Sequence, residues 1–423
     1  MDGIILIKNA RTPGEVDIEC DILVKDGKIS SVMRDIRQAN DMTVVDAAGC
    51  VAAPGLVDMH VHFRDPGMEY KEDILTGAAA AAAGGVTTCC CMPNTLPVAD
   101  NADVIEYILK KAKSAPVTVL PYGAVTHGQS GRELTDFAAL KLAGAAGLSD
   151  DGNPVQSAEV MRLAMRSARG ADMLLISHCE DADMVRDFAV NEGRVSAELG
   201  IHGRPAVAEE IMVARDVMLA AETGARVHIA HVSTARSVEI IRRAKETGIR
   251  VTAETCPQYF ALTEEEIARL GSLARVNPPL RTGQDADAII AGLADGTIDV
   301  IATDHAPHSA EEKSKPLVQA PSGMIGLETS LGLALTFLYH TGKLGMDKLM
   351  QLMSVNPARI LGLEAGTLNE GAAANIVIFD PHEEWTVDPN RFKSKARNTP
   401  FAGLNLRGKV KYTISSGEIV YRD

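Results

Sequence analysis

The sequence predicts an α/β protein in which a (β/α)8 barrel spans residues 53–362 and a small β-rich domain is formed jointly by residues 1–52 and 363–423. Three features carry the prediction. Eight short apolar runs alternate with helical stretches from Val51 onward, several of these runs end in polar, metal-capable side chains, and both chain ends switch to strands and turns.

Taken in order, the first segment alternates apolar runs at Ile4 to Ile7, Asp21 to Val24 and Ile29 to Val32 with turn signals at Lys25-Asp26-Gly27 and Ala48-Gly49. That is the grammar of antiparallel strands. The barrel runs follow: LVDMHV near 56, VTTCCCM near 86, VTVLPYGAV from 117, GAAGLSDD from 144, MLLISHCE from 173, ARVHIAHVS from 225, RVTAETCP from 250 and DVIATDHAP from 299. Between the first two, the Ala-rich stretch Ile74 to Ala83 predicts a helix, because alanine is the strongest helix former and Gly84-Gly85 offers the αL residue that closes one. Near Gly362 the helical pattern stops, and the tail from Gly408 predicts a hairpin turning at Ser416-Gly417. The two ends are expected to pair with each other.

Composition narrows the function classes. The chain has 423 residues, 42 basic against 56 acidic, for a net charge of −14, with 46% hydrophobic residues and only 4% aromatics. These figures predict a soluble globular protein. With a pI near 5.3 and no sustained Lys/Arg block, neither nucleic acid nor an anionic membrane surface is an expected partner, since either needs a concentrated positive field. A small molecule is. The N-terminal segment carries acids early and has no apolar core of a leader, and nowhere do about 18 apolar residues run together, so a cytoplasmic location is expected. Seven cysteines without a CxxC fit neither a disulfide framework nor a thiolate zinc site. Cys89, Cys90 and Cys91 alternate faces along one strand, so they read as core.

The chemistry lies at the ends of the apolar runs, where a barrel carries its active site. The first ends in Asp58-Met59-His60-Val61-His62. Two histidines one residue apart on a strand face the same side, so both rings can reach one ion, although alone such a pair is as readily two half-exposed strand residues. The fourth run ends in Ser149-Asp150-Asp151-Gly152, the fifth in Ser177-His178-Cys179-Glu180, the sixth in Ala230-His231-Val232-Ser233 and the eighth in Thr303-Asp304-His305-Ala306-Pro307-His308. Singly, Asp-Asp-Gly is an ordinary turn and a histidine after an apolar run is more often a packed or capping residue. Together, His60, His62, Asp151, His178, His231 and Asp304 give four imidazoles and two carboxylates from five strand ends. Such a set suits zinc or a similar divalent ion, or a pair sharing a bridging carboxylate. Two close metals ionise a bridging water at neutral pH and polarise the carbonyl it attacks, so hydrolysis is the chemistry indicated. Asp304 is the candidate acid/base that takes the water's proton and passes it to a leaving nitrogen. Arg64 and Asn94 offer donors matched to a substrate carboxylate, with ordinary loop hydrogen bonding as the alternative.

The motifs DMHVHFRDPG, MPNT, SDDG, SHCED, HVS, ETCPQY, NPPLR, ATDHAPH and APSGMIGLET occur in this order and cover most of residues 54 to 329. On them the chain resembles the amidohydrolase superfamily and, within it, is similar to the bacterial type I dihydroorotases. The resemblance implies a TIM barrel with a small β-domain from both termini. It implies that His60, His62, Asp151 and Asp304 hold one zinc ion, that Asp151, His178 and His231 hold the other, and that Asp304 is the acid/base. One or two Zn2+ per subunit are expected, two being the family arrangement with Asp151 as the bridge. Arg64, Asn94 and His308 would bind the substrate carboxylate, Asn277 and the backbone at Ser322-Gly323 would meet the pyrimidine ring, and His62 would also border the substrate. The implied reaction is reversible cyclisation of N-carbamoyl-L-aspartate to (S)-dihydroorotate plus water, by metal-bound hydroxide in the ring-opening direction. It is the third step of de novo pyrimidine (UMP) biosynthesis.

Two details bear on the subfamily. Related hydantoinases, dihydropyrimidinases and allantoinases bridge their metals with a carboxylated lysine at the fourth strand, where this chain has Asp150-Asp151 and its nearest lysine is Lys141. Ser322 departs from the family, whose members usually carry a bulkier apolar residue before the glycine of APxG. An allantoinase or hydantoinase acting on rings without a carboxylate is the neighbouring reading. A catalytically silent scaffold homologue is the other, and the complete set of six metal positions weighs against it. The polar segment 309–323 reads either as a surface connector or as a lid over the substrate. His127, His202, His228, His305, His340 and His382 read as structural, with His127 and His305 near enough to strand ends to orient ligands. A homodimer is the base-rate expectation, and an association with aspartate transcarbamoylase stays open at this level.

Overall fold

The computed structural model describes residues 3–13, 18–186 and 188–423. Its first strands are β1 (Ile4–Thr12), β2 (Ile18–Lys25), β3 (Lys28–Met33), β4 (Met42–Asp46) and β5 (Val51–Pro54). β1, β2 and β3 are antiparallel, and Asp26 and Gly27 take the positive φ that a two-residue hairpin turn requires. The antiparallel expectation stops there. β4 runs parallel to β1 from Ile4 to Lys8, and β5 meets β1 in parallel at Arg11 and Val51. Alternation along a strand fixes which face is buried, not the direction of its neighbour, so the sequence pattern is the same for either pairing.

The eight apolar runs become β6 (Leu56–Val61), β7 (Val86–Cys91), β8 (Thr118–Pro121), β9 (Leu148–Ser149), β10 (Leu175–Ser177) and, after the small ribbon of β11 (Val190–Asn191) and β12 (Gly203–Arg204), β13 (Val227–Ile229), β14 (Val251–Thr255) and β15 (Val300–Ile301). Parallel pairing joins β6-β7-β8 and β9-β10-β13-β14-β15. Parallel bridges between Gly123 and Leu148 and between Val61 and His305 close the two arcs into a barrel. Alternation along β7 divides its cysteines: Cys90 packs with Met59, Tyr122, Ile176, Ala230 and Val300 in the barrel interior, whereas Cys89 and Cys91 pack outward against the helices.

The helix Ile74–Ala83 begins at Asp73, whose side chain accepts from the Leu75 and Thr76 N–H groups, and Thr76 returns a hydrogen bond in a capping box. Its small residues have a packing reason. A Cβ on Gly77 would lie 2.4 Å from the Phe63 ring, so the helix sits directly on the residue that follows His62. The turn closes with Gly85 at φ +84, while Gly84 stays at negative φ.

The chain ends in β16 (Ile376–Thr386), β17 (Asn405–Ser415) and β18 (Glu418–Arg422), with Ser416 and Gly417 at the last turn. β16 pairs antiparallel with β5 from Ile376–Pro54 to Phe379–Val51, giving the order β18-β17-β16-β5-β1-β2-β3. The two ends of the chain thus build one sheet, with a core that includes Ile5, Ile7, Ile22, Ile376 and Ile414. Thr413 Oγ1 donates to the Ala82 carbonyl at 2.6 Å and ties this sheet to the first barrel helix. Among the described residues, no helix is long and apolar enough to cross a membrane.

Candidate metal centre and active site

β6 carries His60 inward, and His62 follows on the same side of the chain. Both are buried. Asp58 sets their register against β15, because its Oδ1 accepts from the His60 N–H at 3.0 Å and the Thr303 N–H at 3.2 Å. Burial pushes the Asp58 carboxyl up to about 6, against the pull of these hydrogen bonds.

Around one point, His60 Nε2 lies 3.5 Å from both Asp151 Oδ1 and Asp304 Oδ1, and His62 Nε2 lies 3.4 Å from Asp151 Oδ2 and 3.0 Å from Asp304 Oδ1. Around a second, Asp151 Oδ1 lies 3.3 Å from His178 Nδ1 and 3.4 Å from His231 Nε2, and these two nitrogens are 2.8 Å apart. His60, His62 and Asp151 form one group with donor atoms within 4.8 Å of one another, and Asp151, His178 and His231 form another. Asp151 belongs to both, which makes the arrangement binuclear. The residues fit a pair of divalent cations on an observation independent of motif: His60 Nε2 is buried without a hydrogen-bond partner, facing two carboxylates. Ligand atoms that converge on one point, one of them left without a hydrogen-bond partner, are what a cation requires.

The electrostatics agree. Burial opposes charge on His60, but Asp151, Glu254 and Asp304 outweigh it and hold its pKa well above the usual imidazole value. Burial likewise opposes ionisation of Asp151, and His60 with hydrogen bonds from His178 and His231 brings its carboxyl well below the carboxylate range. For His178, Asp151 and Glu180 overcome burial and raise the ring to about 10. The carboxylates of Asp151, Asp304, Glu254 and Glu180 thus favour positive charge at the position of these rings.

Glu254 on β14 is a functional residue that sequence reasoning missed. It is fully buried, its Oε1 is 2.6 Å from His60 Nδ1, and its Oε2 is 3.2 Å from His228 Nε2. The carboxylate makes Nδ1 the protonated nitrogen of His60 and leaves Nε2 for a metal. The available signal was a charged residue inside the apolar run RVTAETCP. Glu254→Gln is expected to weaken metal binding about 10–100-fold, read by competition with a chromogenic chelator. Unchanged affinity would deny Glu254 this role.

A cavity of about 230 Å³ opens onto these groups, and Arg64, Asn94, Asn277, His308, Ser322 and Gly323 reach its wall. Arg64, at φ +61, donates from Nε to the Pro307 carbonyl at 3.3 Å. Asn94 Oδ1 accepts from His62 Nδ1 at 2.9 Å, so what it can offer a carboxylate is its NH2. His308 donates from Nε2 to the Ser322 carbonyl at 2.8 Å, while its Nδ1 is buried without a hydrogen-bond partner, 3.6 Å from Glu312 Oε2. Burial and the charges of Arg64, Lys71 and Lys313 lower its pKa to about 3, so the ring is neutral and must exchange that bond to donate to a ligand. Asn277 donates to Glu180 Oε2 at 3.1 Å and accepts from Arg204, which also pairs with Glu180 at 2.7 Å. Glu180 and Arg204 were not singled out from sequence.

Of the Asp-Asp pair only Asp151 enters the site. Asp150 accepts from the Val125 and Thr126 N–H groups at 2.8 and 3.2 Å and serves as the turn staple. His127 is largely exposed beside Asp100 and orients no ligand. His305 Nδ1 accepts from the Gly326 N–H at 3.2 Å, which fixes the backbone next to Asp304.

With this geometry in place, three comparisons bear on kinship. A family model described as dihydro-orotase-like matches residues 49–237. The dihydroorotase of Acetivibrio thermocellus is 51% identical over 95% of each chain, and that of Clostridioides difficile 50% identical over 99% of each. Among solved structures, the L-hydantoinase (dihydropyrimidinase) from Arthrobacter aurescens superposes with a TM-score of 0.89 at 27% identity, covering 100% of this chain and 96% of its own. Half the residues are shared with curated dihydroorotases along nearly the whole length, and Asp151 stands between two groups of histidines, so the chain belongs to the dihydroorotase family.

Proposed function

We propose that the chain is a zinc-dependent cyclic amide hydrolase, a dihydroorotase, which interconverts N-carbamoyl-L-aspartate and (S)-dihydroorotate plus water in de novo pyrimidine biosynthesis. The observation that carries this reading is the convergence on one cavity of the Asp151-centred metal groups with Arg64, Asn94 and His308. Two zinc ions per subunit are proposed, one held by His60, His62, Asp151 and Asp304, the other by Asp151, His178 and His231. Bound there, such a pair supplies Lewis acidity that ionises water near neutral pH and polarises the amide carbonyl.

The remaining work falls to the chain's own groups. Asp304 Oδ1, 3.0 Å from His62 Nε2, takes the proton of the attacking water and delivers it to the ring nitrogen, and in closure it runs the transfer backward. Arg64 selects a ring that bears a carboxylate through a charge-assisted hydrogen bond, with Asn94 and His308 as further donors. Asn277, held by Glu180 and Arg204, faces the ring together with the backbone of Ser322-Gly323. A hydantoinase-type activity is the neighbouring reading, supported by the shared fold. Asp151 and Arg64 weigh against it.

The test is ring opening of L-dihydroorotate, allantoin and dihydrouracil by one purified sample, before chelation and after zinc is restored, with metal counted per chain. Selective opening of dihydroorotate, lost on chelation and regained with zinc, is expected. Activity confined to the rings without a carboxylate would move the chain to the neighbouring chemistry. Inactivity with both metal positions filled would favour a scaffold role. We also propose a cytoplasmic homodimer, its mass to be read by light scattering. The division into 53–362 and the composite 1–52 plus 363–423 is likewise a proposal, with β5 straddling the first boundary.

A further inference from the structure

The segment after His308 forms one helical turn, Ala310–Lys313, and then a strap of turns and bends that returns to the cavity at Ser322-Gly323. The turn is fastened on both sides. Glu312 pairs with Lys71 at 2.8 Å on the side of the loop that carries Arg64. Lys313 points the other way and is buried, with 5% of its surface exposed. Its ammonium has carbonyls, not a carboxylate, as hydrogen-bond partners: Pro321 and Gly323 at 3.0 Å each and Arg275 at 3.5 Å.

An ammonium buried among neutral carbonyls is expensive, because dipoles replace its hydration only in part. Burial, with the nearby Arg275 charge, lowers its pKa to about 7. A spacer of the same volume would be met more cheaply by methionine or leucine. The geometry instead shows what the charge accomplishes. Pro321 and Gly323 flank Ser322, the Gly323 N–H donates to the Arg275 carbonyl at 2.9 Å, and Asn277 lies two residues beyond Arg275. The remaining carbonyl of the strap, that of Ser322, accepts from His308, and Asn398 Nδ2 adds a second donor to Gly323 O at 3.2 Å. The carbonyls of Pro321 and Gly323 thus have donors that take no part in binding the substrate, whereas that of Ser322 is held by His308 only while this ring makes no bond to a ligand, and Ser322 and Gly323 border the cavity. Gly323 takes φ +132, and a Cβ there would lie 2.7 Å from that of Ala306, so the strap has no slack for another path.

We infer that Lys313 is a positioning residue for substrate binding: its ammonium ties the carbonyls of Pro321 and Gly323 to that of Arg275, so that the Ser322-Gly323 edge of the ring-binding end of the cavity is held against the segment that leads to Asn277. The inference rests on the dihydroorotase reading and answers the choice between connector and lid in favour of a pinned strap.

The experiment compares Lys313→Met and Lys313→Arg with the parent zinc-loaded enzyme, measuring KM and kcat for L-dihydroorotate, metal per chain and Tm. Lys313→Met is expected to raise KM about tenfold or more, with kcat within about threefold of the parent and metal content unchanged, since the Pro321 carbonyl loses its donor and those of Gly323 and Arg275 each lose one of two, while the metal ligands are untouched. Lys313→Arg, which keeps the charge and donors, is expected to recover most of that loss. If Lys313→Met does not fold, Lys313→Gln is read by the same criterion. Parent-like KM in the Met or Gln variant, failure of both to fold, or a loss on kcat and metal content with KM retained overturns the inference. Failure of the parent to open dihydroorotate would instead overturn the functional reading, which keeps the two failures distinct.

Discussion

Asp304→Asn is expected to lower kcat for opening of dihydroorotate by roughly 10²–10⁴-fold, the range set by loss of a positioned acid/base, while most metal stays bound. Asparagine keeps the shape of the side chain and an oxygen that can still face His60 and His62, now 3.5 and 3.0 Å from Oδ1. The other proposed ligands, Asp151 above all, remain. What disappears is the capacity to hold and release a proton. Because a proton in flight exists only in the transition state, kcat and kcat/KM should fall together with KM little moved. Steady-state kinetics, with metal counted in each sample, decides the matter. Full activity in Asp304→Asn would remove Asp304 from the acid/base role, and loss of metal along with activity would recast it as a ligand first.

The legible parts of this molecule are those where local sequence and tertiary role coincide. Each barrel strand was an apolar run, and the ring closes because those runs are buried on both faces, as for LVDMHV, whose six positions are all buried. The metal-facing residues were legible because a barrel gathers strand ends, so His60, His178 and His231 needed only to follow apolar runs. Strand direction was not legible, as β4 shows. Nor were residues whose role depends on partners distant in the chain. Glu254 meets His60 across 194 residues, and its own neighbourhood says only that a carboxylate sits in a strand. Arg204 reaches Asn277 across 73 residues from the short β12. Asn398 accepts from the His308 N–H and donates to Ala306 and Gly323 carbonyls from a loop of the terminal segment. Lys313 looked like one charge in a polar connector, and its burial follows from the fold that closes over it.

Asp151→Ala is expected to have the broadest effect on the centre, emptying the second metal position, weakening the first and reducing turnover to background, whereas His178→Ala should weaken the second position alone. The asymmetry follows from the distances. Asp151 Oδ1 faces His178 and His231, at 3.3 and 3.4 Å, while Oδ2 faces His62 at 3.4 Å, so one carboxylate serves both groups. Without it, the second position retains two neutral imidazoles and no anionic ligand, too few for the four-coordinate geometry zinc prefers. The first retains His60, His62 and Asp304, but loses one of the two carboxylates that face both rings. Removal of His178 takes away one neutral ligand and leaves His60, His62, Asp151 and Asp304 together. Metal analysis after dialysis against a weak chelator reads the difference directly, and circular dichroism confirms that both variants fold. An ion held as tightly at the first position in Asp151→Ala as in His178→Ala would mean that Asp151 does not bridge. Retention of one ion by Asp151→Ala, with none in His178→Ala, would place the tighter position on the opposite side of the centre and require the ligand sets to be redrawn.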